Sequence, residues 1–375
     1  MLISNLKGKF GWIAYHGHIF TKERLISTLL PALSRTPCHI AVINQFDSRK
    51  AYLIDINGQI YKKWVFPFTY QLAYEYQSDL RDNEVLAVPK KCVYFMDAAS
   101  IIVSYLLIIN RSSKILDLCS APGGKALIII KRILEDITKY GEENKTCQIT
   151  CNEYDKDRFS RLNKVLQNHI GNFDLNRVNA VTISSDAAST SLLYILRKQG
   201  RFSNILVDAP CSSDRHLVLS NNLNQWSIKL AKNNSKRQIE IMKNAIELLE
   251  DDGIILYCTC TLNEVENDHT VERICNDLGI NSKDCFLSML DIVKKFNSRQ
   301  EKVKIVLKYI GDELKREEFD EAINNERLMY NSIQKNENDT ILFEYTKFGS
   351  YILPDVNNGI GPLYLSFIKR KKVVL

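Results

Sequence analysis

At 375 residues the chain is long enough for one large domain with its own core plus a smaller appendage. A hydrophobic share of 45% with a charged share of 25% is that of an ordinary globular protein and excludes disorder as its main state. Lysine plus arginine exceed aspartate plus glutamate by 50 − 44 = 6, an excess that admits a polyanionic partner without demanding one.

The first 22 residues carry Lys7, Lys9 and Lys22 and no acid, which is compatible with an organelle-targeting segment, although arginine is missing and aromatics are frequent. Short strands are expected at "CHIAVIN", "KAYLIDI" and "QIYKKWVF", giving an accessory region over residues 1–90. Its stretch "YKKWVFPFTY" has the lysines and aromatics to meet phosphates and unstacked bases. Phe66 and Phe68 nevertheless alternate with Val65 and Pro67 as a buried strand edge would, and accessory core is the favoured reading. "AASIIVSYLLII" falls short of the roughly 18 residues a membrane span needs and is stopped by "NRSSK", so no membrane association is expected.

From Lys114 the pattern becomes regular. "KILDLC" reads as a strand and "KALIIIKRILEDITKY" as a helix. "TCQITCNEYD" is the next strand, and "KDRFSRLNKVLQNHI" follows with Phe159, Leu162, Val165 and Leu166 at helical spacing. "RVNAVTIS" and "FSNILVDAP" are further strands, "SKRQIEIMKNAIELLEDDG" a helix stopping at Gly253, and "IILYCTC" the strand after it. Strand and helix alternating in this way predict a doubly wound α/β sheet with helices on both faces, over residues 91–375. The lysine- and glutamate-rich segment from about 288 to 338 reads as a charged helical insertion with a solvated surface. "GPLYLSFIKRKK" alternates like a final strand and ends in basic residues suited to phosphates.

The loop "LDLCSAPGGKA" joins the first strand of this sheet to its helix, and such sheets bind ligands at the carboxyl ends of their strands. Gly123 and Gly124 would let the backbone approach a ligand at the helix N-terminus. A phosphate loop would need Gly in place of Cys119 and Ser or Thr in place of Ala126, and the three-glycine dinucleotide fingerprint is also missing. A nucleoside-binding sheet with Lys125 at its lip remains. Glu153 stands where a carboxylate meets ribose hydroxyls, with a solvated loop acid as the alternative. Asp186 ends the third strand, where it could meet an adenine amine or cap the next helix.

"VDAPCSSDRH" places Asp208, Pro210 and Cys211 at the same crevice, and "ILYCTC" delivers Cys260 beside them. Successive strand residues face opposite sides, so Cys258 and Cys260 share a face; Cys258, deeper in the strand, is expected in the core and Cys260 to be the reactive thiol. The ten cysteines show no paired CxxC spacing, which disfavours a disulfide scaffold or zinc ribbon. A zinc reading of Cys258 and Cys260 would also need two further ligands that the sequence does not offer.

The set "DLCSAPGGK", "NEYD" with a following arginine, "VDAPCSSDRH", "YCTCTLNEVEN" and "GPLY" resembles the Sun family of RNA cytosine-5 methyltransferases, in the branch that modifies mitochondrial tRNA or ribosomal RNA. The resemblance runs from about Tyr94 to the C-terminus. It implies a Rossmann-like, S-adenosylmethionine-dependent methyltransferase sheet, a structured tRNA or rRNA substrate, and a mitochondrial matrix location, with the cytoplasm as alternative. It also admits a protein partner that positions the RNA. By the same resemblance Cys260 is the nucleophile, Cys211 assists adduct release, Asp208 contacts cytosine N3, and Lys125 approaches base or cofactor. The cofactor would be held by Cys119, Ser120, Ala121, Pro122, Gly123, Gly124 and Lys125, with Glu153 at the ribose, Asp186 at the adenine side, and Arg158 and Asp208 nearby. Ala126 and Ser120 depart from the family's usual residues without removing a group that has a chemical role here. A catalytically silent RNA-binding or ribosome-assembly protein is the alternative. DNA cytosine methyltransferases use the "PC" cysteine as nucleophile, so a swapped assignment of the two thiols also stays open.

Overall fold

Apolar residues of β5 (Lys114–Asp117), β6 (Gln148–Asn152), β8 (Phe202–Asp208) and β9 (Leu249–Thr259) are buried in near-continuous runs, as strands covered on both faces must be. The computed structural model describes residues 5–43, 62–63, 69–71, 93–110, 112–141, 147–299, 304–309 and 340–370. With β7 (Ala180–Ile183), β10 (Lys304–Tyr309), β11 (Thr340–Tyr345), β12 (Ser350–Ile352) and β13 (Leu363–Lys369), these strands form a nine-stranded sheet ordered β10-β11-β12-β13-β9-β8-β5-β6-β7. Pairing is parallel from β7 through β6, β5 and β8 to β9, and β13 joins β9 antiparallel. The order reverses at β5, so the crevice between the carboxyl ends of β5 and β8 is where this topology places a ligand.

Neighbouring residues of one strand serve opposite faces. Leu206, Leu256 and Cys258 belong to one hydrophobic cluster, while Ile205, Val207, Ile255 and Tyr257 belong to the other. The helices Ala98–Leu106, Gly124–Tyr140 and Ser282–Arg299 cover the first face; Gly8–Ile19, Thr190–Arg197 and Ile228–Leu248 cover the second. A separate four-stranded sheet, ordered β2-β3-β1-β4, comprises β1 (His39–Ile43), β2 (Lys62–Lys63), β3 (Thr69–Gln71) and β4 (Val93–Asp97). β1 and β4 pair antiparallel, with Ala41 opposite Phe95.

Three features depart from the sequence reading. The helix expected to stop at Gly253 ends at Leu248, and β9 begins at once with Leu249. The turn signal instead belongs to a bulge: Asp252 has φ 61°, and the β8–β9 register slips between Phe202 opposite Leu249 and Asn204 opposite Ile254. The charged segment from 288 begins inside a helix whose Phe286, Met289, Leu290, Val293 and Phe296 are buried at helical spacing, and it continues into β10 of the main sheet. Exposed ion pairs such as Asp291–Lys295 mask that apolar stripe in a simple count of charges. Residues 310–339, "KAYLIDI", Phe66, Phe68 and the basic residues after Arg370 lie outside the described residues.

The third departure is the N-terminus, where Trp12, Leu25, Leu29 and Leu33 are wholly buried in the same cluster as β8 and β9. The end of the chain is built in as tightly. Arg215 donates to the carbonyls of Gly359 (2.8 Å), Gly361 and Arg35 (3.0 Å), holding the "GPLY" turn against the body. Gly361 has φ 93°, and a Cβ there would run into the Ile352 carbonyl oxygen. Gly361→Ala is therefore expected to cost more than about 2 kcal/mol, through strained backbone and a clash with an atom that cannot swing away, read as a lower urea midpoint.

Candidate active site

The carboxyl ends of β5 to β9 bring the expected residues to one edge. After β5 the chain turns through Leu118–Gly123; the Ser120 amide donates to the Asn152 carbonyl (2.9 Å), and the Asn152 side chain braces Leu118 and Ser185 carbonyls at 3.0 Å each. Gly123 has φ 110° and starts the helix Gly124–Tyr140. A Cβ on Gly124 would lie 3.1 Å from the Tyr94 ring and 3.2 Å from the Met96 methyl, so close packing of β4 already accounts for this glycine.

Glu153 is buried, not a solvated loop acid. Its carboxylate accepts the amides of Ala121 (3.3 Å) and Asp155 (3.0 Å), and Arg158 stands 3.5 Å away while donating to the Ala121 carbonyl (2.7 Å). Asp186 accepts the Ala188 amide at 2.9 Å and pairs with Arg237 at 2.7 Å. The Arg237 guanidinium in turn lies over the exposed Tyr154 ring.

Asp117 is a site residue that the sequence reading passed over, its one signal being an acid ending the apolar "KILD". Burial pushes its carboxyl up to about 7, opposed by the Ser120 hydrogen bond (2.8 Å) and reinforced by nearby Asp208. Its Oδ1 has no hydrogen-bond partner among the described residues. The native state therefore holds a proton between about pH 4 and 7 that the unfolded chain has released, and the stability this proton carries is lost as pH rises through 7. We predict that Asp117→Asn removes up to ~1.4 kcal/mol per pH unit of this slope, measured as urea midpoints of both proteins at pH 5 and 8.

The thiol side of the crevice is built by β8 and β9, whose parallel register sets Asp208 beside Cys258. Cys258 is wholly buried, as expected from its depth in the strand, and its thiol reaches the Asp208 carboxylate at 3.5 Å. Lys125 ion-pairs with the other oxygen of Asp208 at 2.6 Å and donates to the Ser100 hydroxyl at 3.1 Å. Two residues further on, just past the end of β9, Cys260 is exposed, with its sulfur 3.2 Å from that of Cys211 and 3.1 Å from the Ser213 hydroxyl. Its own amide donates to the Cys211 sulfur at 3.3 Å.

This arrangement separates the two thiols. Hydrogen bonds from Cys211 and then Ser213 draw the Cys260 thiol below its ordinary range, against the opposing effect of desolvation. Cys211 moves the other way, raised by the hydrogen bond to Cys260 and by burial. The two sulfurs are thus shifted in opposite directions, Cys260 toward the thiolate and Cys211 toward the thiol. Glu266, also missed from sequence, is buried, accepts the Ser212 amide (3.1 Å) and the Gln238 amide (3.1 Å), and so pins the loop that carries Cys211. His216 is exposed. Among the described residues no group of three or more His, Cys, Asp and Glu is arranged to hold a metal ion.

A sequence model of the 16S rRNA methyltransferase RsmB/F family matches residues 104–310, more than half of the chain. The chain belongs to the RsmB/F family. This is the Sun family that its motifs resemble. The RsmB/F chain is 28% identical over 186 residues to a mouse (Mus musculus) mitochondrial tRNA (cytosine(34)-C(5))-methyltransferase, covering 49% of each protein. It is 28% identical over 198 residues to the 5-cytosine rRNA methyltransferase NSUN4 of Xenopus tropicalis, covering 51% of this chain and 45% of that protein. The match thus spans about half the length of the curated relatives. In structure the RsmB/F chain superposes on NSun6 from Pyrococcus horikoshii, solved with SFG, with a TM-score of 0.59 at 15% identity, over 96% of this chain and 97% of that one. That likeness establishes the methyltransferase fold.

Proposed function

We propose that this chain is an S-adenosylmethionine-dependent RNA cytosine-5 methyltransferase that forms 5-methylcytosine in mitochondrial tRNA or small-subunit rRNA. The names of its relatives support the substrate class, and that of the mouse tRNA enzyme supports the mitochondrial location. The observation that carries the chemistry is the contact of Cys260 with Cys211 beside the Lys125–Asp208 pair.

Carbon 5 of cytosine is a weak nucleophile. Attack of the Cys260 thiolate on carbon 6 opens the 5,6 double bond and moves its electron pair toward carbon 5, replacing one difficult step by two easier ones. A proton shared between cytosine N3 and the Asp208 carboxylate neutralises the charge that develops on the ring, and Lys125 fixes that carboxylate in place. After methylation the carbon 5 proton leaves to a base, the double bond re-forms, and Cys260 is expelled. Cys211 takes part in this release, next to the sulfur that departs.

The crevice fits a nucleoside cofactor: the buried Glu153 carboxylate directly follows β6, and among the described residues the buried Asp117 Oδ1 at the end of β5 has no hydrogen-bond partner. Cys119 to Lys125 would hold the methionine part, Glu153 the ribose, Asp186 the adenine side, with Arg158 securing the loop through Ala121. When bound, S-adenosylmethionine supplies an electrophilic methyl group. We assign residues 91–375 to catalysis, with the N-terminal helix packed into their core, and the remainder of residues 1–90 to an accessory, RNA-contacting role, with the target cytosine presented in a single-stranded or unstacked segment.

The test is transfer of tritiated methyl from S-adenosylmethionine to mitochondrial RNA, with DNA and cytosolic RNA as competitors. Label recovered as 5-methylcytosine in RNA supports the reading. Label in DNA would overturn the substrate class, and RNA binding without transfer would favour a silent scaffold.

A further inference from the structure

Asp214 is wholly buried three residues after Cys211, at the start of a short helix, and its carboxylate ties three separate segments together. One oxygen accepts the indole N–H of Trp12 from the N-terminal helix at 2.6 Å. The other accepts the Thr261 hydroxyl and the Leu262 amide, the latter at 2.7 Å. Thr261 and Leu262 directly follow Cys260, so one side chain clamps the Cys211 loop to the Cys260 loop. Ser213, between Cys211 and Asp214, is held at φ 50°, a left-handed conformation unusual for serine, and from there its hydroxyl reaches the Cys260 sulfur.

The geometry points to Asp214 as a positioning residue that acts through Ser213: the clamp keeps the Ser213 hydroxyl directed at Cys260, and the N-terminal helix becomes part of the catalytic architecture. Nothing in the cytosine chemistry itself requires a buried carboxylate at this place, yet three donors from two distant segments converge on it. A buried charge held this way resists loss of any one donor, because the carboxylate would be left undersatisfied. The idea rests on Cys260 being the nucleophile of the proposed reaction.

The groups that act on the Cys260 sulfur are Cys211 and Ser213 on the β8 loop, Asp208 at the end of β8, and Lys125 on the helix Gly124–Tyr140. Around Asp214 stand His16, with Nε2 at 3.8 Å, Tyr15 on the same helix, and Glu266 beyond β9. Burial lowers the His16 imidazole, opposed by the Asp214 carboxylate beside it.

The test reads the thiol directly. Carbamidomethylation of Cys260 by iodoacetamide, followed peptide by peptide from pH 5 to 10 without RNA, is expected to show a midpoint about one unit higher in Asp214→Asn and Ser213→Ala. That shift makes modification about tenfold slower below the midpoint. A folded Asp214→Asn with an unchanged profile, whatever its melting temperature, overturns the positioning role. Should Asp214→Asn fail to fold, Trp12→Phe and Thr261→Val, each removing one donor, decide by the same criterion. Because the readout needs no methyl transfer, absence of activity in the wild type would count against the proposed function and leave this inference standing or falling on the alkylation profile.

Discussion

Replacing Cys260 by alanine is expected to lower methyl transfer to RNA at least about a thousand-fold, a loss of about 4 kcal/mol of transition-state stabilisation, while the fold stays intact. The side chain is exposed at the end of β9, so its truncation leaves no cavity in either core. Cys211→Ala should behave differently. Covalent attack remains available, release is impaired, and a slow-migrating, nuclease-sensitive protein–RNA adduct should accumulate on a denaturing gel. An adduct formed only by Cys260→Ala would exchange the two roles. Exposure argues for the assignment made here: Cys260 is the exposed sulfur, whereas Cys211 is only partly accessible.

Trp12→Ala is expected to produce the largest loss of stability among single changes outside the crevice, about 3–5 kcal/mol. Trp12 is wholly buried, its ring lies 4.5 Å from that of His16, and its indole N–H is one of the donors to Asp214. The substitution opens a large cavity and takes a hydrogen bond from a buried carboxylate. Trp12→Phe retains most of the apolar contact and should cost about 1–3 kcal/mol, chiefly the lost hydrogen bond. Thermal melts of the three proteins should therefore fall in order, the alanine variant by roughly 5–10 °C. Equal melting temperatures would show that the N-terminal helix contributes nothing to the body of the protein.

Much of the sheet was legible because its information is local. The apolar runs of "KILD", "QITCN" and "FSNILVD" mark strands by residue type, and the two-residue period of a strand predicts that Cys258 and Cys260 share a face. The helix Lys156–His169 shows its buried Leu162 and Leu166 at helical spacing. Where patterns overlap, reading fails. Gly253 follows a helical pattern closely enough to look like its stop, whereas strand pairing with Phe202 claims the chain already at Leu249. In the segment from 288, abundant lysine and glutamate concealed an apolar stripe on the helix Ser282–Arg299.

By itself, then, the sequence determined the alternation of strands and helices, the motif loops at strand ends, and the likeness to the Sun family. Each follows from residue type, periodicity or turn chemistry over a few neighbouring positions. Only the tertiary structure decided which groups meet. Cys211 and Cys260 touch because β8 and β9 pair in parallel with Asp208 opposite Cys258. Asp214 finds Trp12, and Arg215 finds Gly359 and Gly361, across separations that no local pattern encodes. Buried charges and donors settle with whichever partners the packed layers bring within hydrogen-bond reach, because leaving them unpaired costs more than any local preference contributes.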